Sequence, residues 1–207
     1  MTSLRSGVKL GLMKKLLAIL VLGLLWCNVG FADDISEYQI EGISIGDSLL
    51  DHLSKEKIIT EIEVNKIGYD YLTDEFGEVY LYSKFEIYDH LSFFVKPNDK
   101  NYIIYMIKAS LRYDDNIKQC YAKQKEIVEE FSVLYKNTRK VEKTATFPFD
   151  PTGKSNTRYV QFIFDSGDAI TVSCKEYEKS LKIKNNWADA LSVEISKKAV
   201  EDWFINY

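Results

Sequence analysis

Apolar and polar positions alternate most clearly between residues 102 and 113. Ile103, Tyr105, Ile107, Ala109 and Leu111 fall on one side, and Lys108, Ser110 and Arg112 on the other. A period of two places successive side chains on opposite faces of a strand, so this stretch predicts a strand with one buried and one wetter face. Upstream, Tyr80 and Tyr82, then Phe85 and Ile87, then Leu91, Phe93 and Val95 lead into Pro97-Asn98-Asp99-Lys100, which reads as a hairpin turn. Tyr159 to Phe164 and Ala169 to Cys174 flank Asp165-Ser166-Gly167-Asp168 as a second hairpin, and Leu191, Val193 and Ile195 make a last strand.

Helical periodicity is strongest from Ile117 to Tyr135, where Cys120, Ile127, Val128, Phe131 and Leu134 share a stripe behind the capping signals Asp114, Asp115 and Asn116. A first strand is expected from Tyr38 to Ile45, ended by Gly46. A helix follows it, with Ser48 as cap and Leu49, Leu50 and Leu53 as stripe. Residues 59 to 77 read as a strand fragment and loop, and Lys136 to Lys143 as a polar connection. Ser196 reads as the cap of a terminal helix that docks through Val200, Trp203 and Phe204. The order of elements predicts an α+β fold, an antiparallel sheet with helices packed on one face. Residues 38 to 113 and 114 to 207 each place a helix before hairpins, an arrangement of two similar halves.

The first 32 residues do not belong to that pattern. Basic Arg5, Lys9, Lys14 and Lys15 precede an apolar run from Leu16 to Trp26, and Gly30 and Ala32 precede Asp33-Asp34, which is the order of a cleaved secretory signal peptide. Met13 would serve as a start of that signal as well as Met1. Trp26 is too bulky to precede a lipidated cysteine, so Cys27 is expected to leave with the signal, and residues 33–207 to form a single domain in the periplasm or outside the cell. The apolar run is shorter than the roughly 20 residues a membrane helix needs. Cys120 and Cys174 then remain for an oxidising compartment, and one disulfide between them is the economical pairing.

Four of the 27 basic residues precede Asp33, leaving 23 against 31 acids. That excess of acid disfavours a phosphate-backbone partner, so no nucleic acid is expected. The segment Phe147 to Asn156, FPFDPTGKSN, ends like a phosphate-binding loop but carries Pro148 where that loop requires glycine, and reads as a turn. His52 and His90 each follow an aspartate, yet adjacent residues rarely pair as a relay, and both read as polar surface positions. Two histidines and two bonded cysteines do not supply a zinc site, and no cofactor motif is present. The serines lie in no hydrolase motif.

What remains is an acid-and-aromatic segment in which Tyr69, Tyr71, Phe76, Tyr80 and Tyr82 stand among Asp70, Asp74, Glu75 and Glu78. Tyrosine joins contact area to a hydroxyl, which suits recognition of a protein or glycan. A strand edge rich in tyrosine for its own packing would look the same.

The opening MKKLLAILVLGLLWCNVGFA, then EGISIGDSLLDHLSKEKI, KQCYAKQKEIVEEF and GDAITVSC together resemble a group of uncharacterised exported proteins of small, AT-rich bacterial genomes. That resemblance implies Cys120 and Cys174 as a pair and carries no catalytic residue. The strand-Gly-Asp-Ser-helix opening is similar to envelope proteins of the β-lactamase-inhibitor-like and outer-membrane-assembly-lipoprotein kind, which implies helices on an antiparallel sheet. The expectation is an exported soluble binding or interaction module for a protein or envelope component. A small hydrolase using a carboxylate and His52 or His90 is the rival reading, and a structural envelope protein the third.

Overall fold

The computed structural model of the chain describes residues 35–68, 75–114 and 116–206. The signal-like stretch, Cys27, and Tyr69 and Tyr71 lie outside the described residues. The described chain begins with a small hairpin, β1 (Gln39–Ile40) and β2 (Ile43–Ser44), and a 3₁₀ turn at Leu49–Asp51. Helix α1 (Lys55–Gly68) leads to β3 (Gly77–Leu81), β4 (His90–Val95) and β5 (Ile104–Asp114). Helix α2 (Ile117–Leu134) leads to β6 (Arg139–Thr146), β7 (Asn156–Ile163) and β8 (Ala169–Glu176). Helix α3 (Lys179–Asn185), β9 (Asp189–Ser196) and α4 (Lys198–Asn206) complete it.

Seven strands form one fully antiparallel sheet in the order β3-β4-β5-β9-β8-β7-β6. The fold is therefore α+β. Each half is a helix followed by a strand meander, and the halves join where β9 pairs with both β5 and β8.

The apolar face of the sheet carries Leu91, Phe93, Ile107, Ala109, Leu191, Val193, Ile170, Val172, Val160 and Phe162, all buried. The N-terminal hairpin covers it with Ile40, Ile43 and Ile45, α1 with Ile58 and Ile62, and α2 with Ile127, Val128 and Phe131. Asn116 caps α2 by accepting from the Gln119 backbone N–H. Cys120 of α2 and Cys174 of β8 form a disulfide, their Cα atoms 6.0 Å apart, which fastens the helix to the sheet. Helix α4 alone crosses to the opposite face, where Val200 and Trp203 pack with Phe76, Phe94 and Met106 in a second, smaller cluster. No helix among the described residues is long and apolar enough to cross a membrane.

Several expectations from the sequence are corrected. The first strand is two short ones, because Glu41 and Gly42 adopt positive φ (54° and 80°) and turn the chain back. Behind Ser48 stands only a 3₁₀ turn, with the Ser48 hydroxyl accepting from Leu50 N–H. The real helix is α1, in the stretch expected to be strand and loop. Edge strand β6 begins inside the Lys136 to Lys143 connection and runs on to Thr146. Tyr105 does not share a face with Ile107. It is the extra residue of a bulge opposite Phe94 and Val95, so Ile104 enters the main core and Tyr105 packs toward Phe76. The terminal helix is capped by the Asp168 carboxylate, which accepts from Lys198 N–H at 2.7 Å, while Ser196 donates to Glu201.

Candidate functional site

The face of the sheet that turns away from α2 is apolar where α4 covers Phe94 and Met106 and polar beyond that patch, and strand register says which side chains lie beside one another. One row across it reads Tyr80, Ser92, Lys108, Glu194, Thr171, Gln161. The next reads His90, Ser110, Ser192, Ser173, Tyr159, with Arg112 and Lys175 one row beyond. Serines from four different strands, Ser92, Ser110, Ser173 and Ser192, thus make a buried floor. The taller side chains around them form the surface a partner would meet.

Two ion pairs stand on this floor. Glu78, fully buried, accepts from Lys108 at 2.8 Å and from the Ser92 hydroxyl at 2.7 Å. A buried carboxylate needs both, because desolvation of an unpaired charge costs several kcal/mol, on the order of 3–5 when one partner is removed. Lys175 faces Glu194 at 3.4 Å. Burial pushes the Lys175 ammonium below its usual range, Glu194 pulls it back, and Lys108 pushes it further down. Ser110 and Ser192 hydroxyls meet at 3.5 Å, whereas the Ser173 hydroxyl, equally buried, has no hydrogen-bond partner among the described residues.

At one edge of the floor the rings of Tyr80 and Tyr82 stack, their centroids 6.1 Å apart, with His90 at 5.8 and 5.4 Å from them. Tyr82 is 72% exposed. Burial, then the Lys108 ammonium, hold the His90 imidazole below its usual range, against the opposite pull of Asp89 and Glu78. The Asp89 carboxylate accepts from the Arg112 backbone N–H at 2.7 Å, so it braces β5 rather than orienting the imidazole.

Of the five aromatic residues singled out in the sequence, Tyr80 and Tyr82 come together on this surface. Phe76 does not, since its ring is fully buried 5.5 Å from Tyr105 and 5.4 Å from Trp203. Tyr69 and Tyr71 fall outside the described residues. His52 lies exposed after the 3₁₀ turn, on the chain segment before α1. Ser173 is too deeply covered to meet a substrate, which leaves the low Lys175 ammonium two residues away on the same face without an accessible nucleophile at that serine. No group of three or more His, Cys, Asp or Glu side chains among the described residues could hold a metal ion.

Sequence reasoning missed His90, Lys108, Arg112, Lys175 and the serine floor as members of one site. Lys108, Ser110 and Arg112 were visible as a polar face of β5. Their neighbours come from β4, β8 and β9, and only strand order reveals them. Compared with protein-family models, curated proteins and solved structures, the chain matches none of them.

Proposed function

We propose that the chain is an exported, periplasmic binding module that contacts a protein or another envelope component through the polar face of its sheet. The observation that carries this reading is the pairing of the stacked Tyr80 and Tyr82 with a charged, serine-floored surface on the side of the sheet that the main core does not use. Beyond the patch that α4 covers, a strand face kept polar over four adjacent strands gives up apolar burial that its counter-face exploits. Tyr and Arg are the residues whose area and donors concentrate binding energy, and Tyr80, Tyr82, Tyr159 and Arg112 supply them here. The disulfide suits an oxidising compartment.

Affinity capture from the envelope fraction of the producing cell tests this, using the parent chain, a Tyr80→Ala/Tyr82→Ala/Arg112→Glu variant, and a Lys125→Glu control on the solvent side of α2. The proposal requires a partner held by the parent and the control and lost by the face variant. A partner that all three chains retain would place binding elsewhere and overturn it.

A further inference from the structure

A second surface lies away from the stacked tyrosines and is built differently. Four rings from three separate segments meet at the end of the β6–β7 hairpin. Phe147 stacks on Phe149 at 5.0 Å and on Tyr177 at 5.4 Å, while Trp187 sits 5.0 Å from Tyr177 and 5.5 Å from Phe149. None of the four belongs to either core cluster, and Phe149 is 51% exposed. Beside them runs α3, a helix with no buried residue, whose Ile183 is 75% exposed. Packing against the core does not account for rings and helix placed this way.

The polar groups around the rings are committed to holding them still. The Asp150 carboxylate accepts from Thr152 N–H at 2.8 Å, the Thr152 hydroxyl at 2.7 Å and Ser155 N–H at 2.7 Å. The hydrogen bonds from Ser155 and Thr152 hold that carboxyl well below the usual carboxylate range. Ser155 Oγ accepts from Glu178 N–H at 2.9 Å, and Asp189 accepts from Tyr177 N–H at 3.0 Å and from Lys182 Nζ at 2.7 Å. The side chains that brace the rings are thus engaged within the protein itself. What the surface offers outward is aromatic area, one exposed isoleucine, and the exposed cations Lys154, Lys179 and Lys184, with one carboxylate, Glu178, engaged by the Ser180 N–H at the start of α3, in a chain whose net charge is −4.

We propose that this aromatic and lysine surface docks the protein on an anionic lipid bilayer. Trp, Tyr and Phe settle at the headgroup level, where one side of the ring is apolar and the other wet, and lysines beside them meet lipid phosphates and gain from the negative surface potential. The docking is peripheral and reversible, and it is independent of the polar sheet face: loss of either surface leaves the other intact.

The test is flotation of the full chain with vesicles of phosphatidylcholine alone and of phosphatidylcholine and phosphatidylglycerol in equal parts. The parent chain is compared with Lys154→Gln/Lys179→Gln/Lys184→Gln, with Phe149→Ser, and with Trp187→Phe in vesicles carrying brominated acyl chains. The N-terminal apolar run is the same in every variant, so differences between them report this surface alone. Binding is expected to the anionic vesicles, falling with added salt. The triple variant should lose roughly a hundredfold, at about fivefold for each lysine near the surface. Phe149→Ser should weaken binding, and Trp187→Phe should lower the bromide quenching to what Trp26 and Trp203 contribute in every variant, while binding stays. All substituted lysines and Phe149 are exposed, so unchanged circular dichroism should accompany these losses. Equal binding to neutral vesicles, or binding untouched by the triple variant, would overturn the proposal. So would transfer of the same variant dependence to a soluble acidic polysaccharide with none to vesicles.

Discussion

The two faces of the seven-stranded sheet share every backbone hydrogen bond and differ in almost everything else. On the apolar face, cross-strand neighbours such as Phe93, Ile107 and Ile195 are interchangeable in kind, each held by area removed from water. On the polar face, neighbours are particular. Glu78 needs Lys108, Lys175 faces Glu194, and the serines fit only because their neighbours are tall. A non-directional force thus organises one side, and a set of specific pairs the other, so substitutions should fail gradually on the first and by partner on the second.

Substitutions at the core face probe the larger energies. Phe93→Ala deletes a fully buried ring and should cost up to about 5 kcal/mol in denaturant unfolding, as transfer and cavity effects add. Replacing Cys120 and Cys174 together by Ala frees a loop with a sequence separation of 54 and should cost roughly 4 kcal/mol. A loss as small as that of a surface substitution would mean that α2 is held by its apolar stripe alone.

On the polar face, Lys108→Ala strands the Glu78 carboxylate and should cost about 3 kcal/mol, whereas Lys108→Met with Glu78→Gln should recover most of it. An equal loss in the double variant, which keeps an apolar stem and leaves no unpaired charge, would show that the ion pair itself is net stabilising there. The pH dependence is a smaller effect. His90 has a folded pKa below its unfolded value, so the unfolded chain binds more protons and stability falls as pH drops through and below about 6.5. His90→Gln should flatten that part of the profile, measured as unfolding midpoint against pH. The smallest effect runs the other way: Ser173→Ala removes a buried hydroxyl with no partner and should be neutral or stabilising by up to about 1 kcal/mol.

Alternation and capping made much of this fold legible. Strands β5, β7, β8 and β9 and helix α2 stand where periods of two and 3.6 put them, because each buries one face against the core. Elements that bury little left little trace. Helix α1 hides Ile58 and Ile62 but exposes Ile59, Val64 and Ile67, so its apolar residues circle the helix instead of forming a stripe. Edge strand β6, RKVEKTAT, has no buried side chain, and its charges guard the open edge. Helix α3 buries nothing. At the site, Tyr80 and Tyr82 stood out by type. His90 read as an ordinary polar position because its neighbours Tyr80, Tyr82 and Lys108 lie on other strands or beyond the end of β3. The bulge at Tyr105 inverted part of β5, a shift no period reveals.

The last of the nine strands among the described residues lies in the middle of the sheet. While residues 189–196 are still inside the ribosome, β3–β5 and β6–β8 have no strand to join them, and β5 and β8 each wait with one edge unpaired. Contacts between distant parts of a chain form slowly, and here the strand that closes the sheet is made after all those it joins. Until β9 emerges, the two meanders remain separate pieces with one edge each open to it, and the continuous sheet is acquired in the single step that inserts β9 between them.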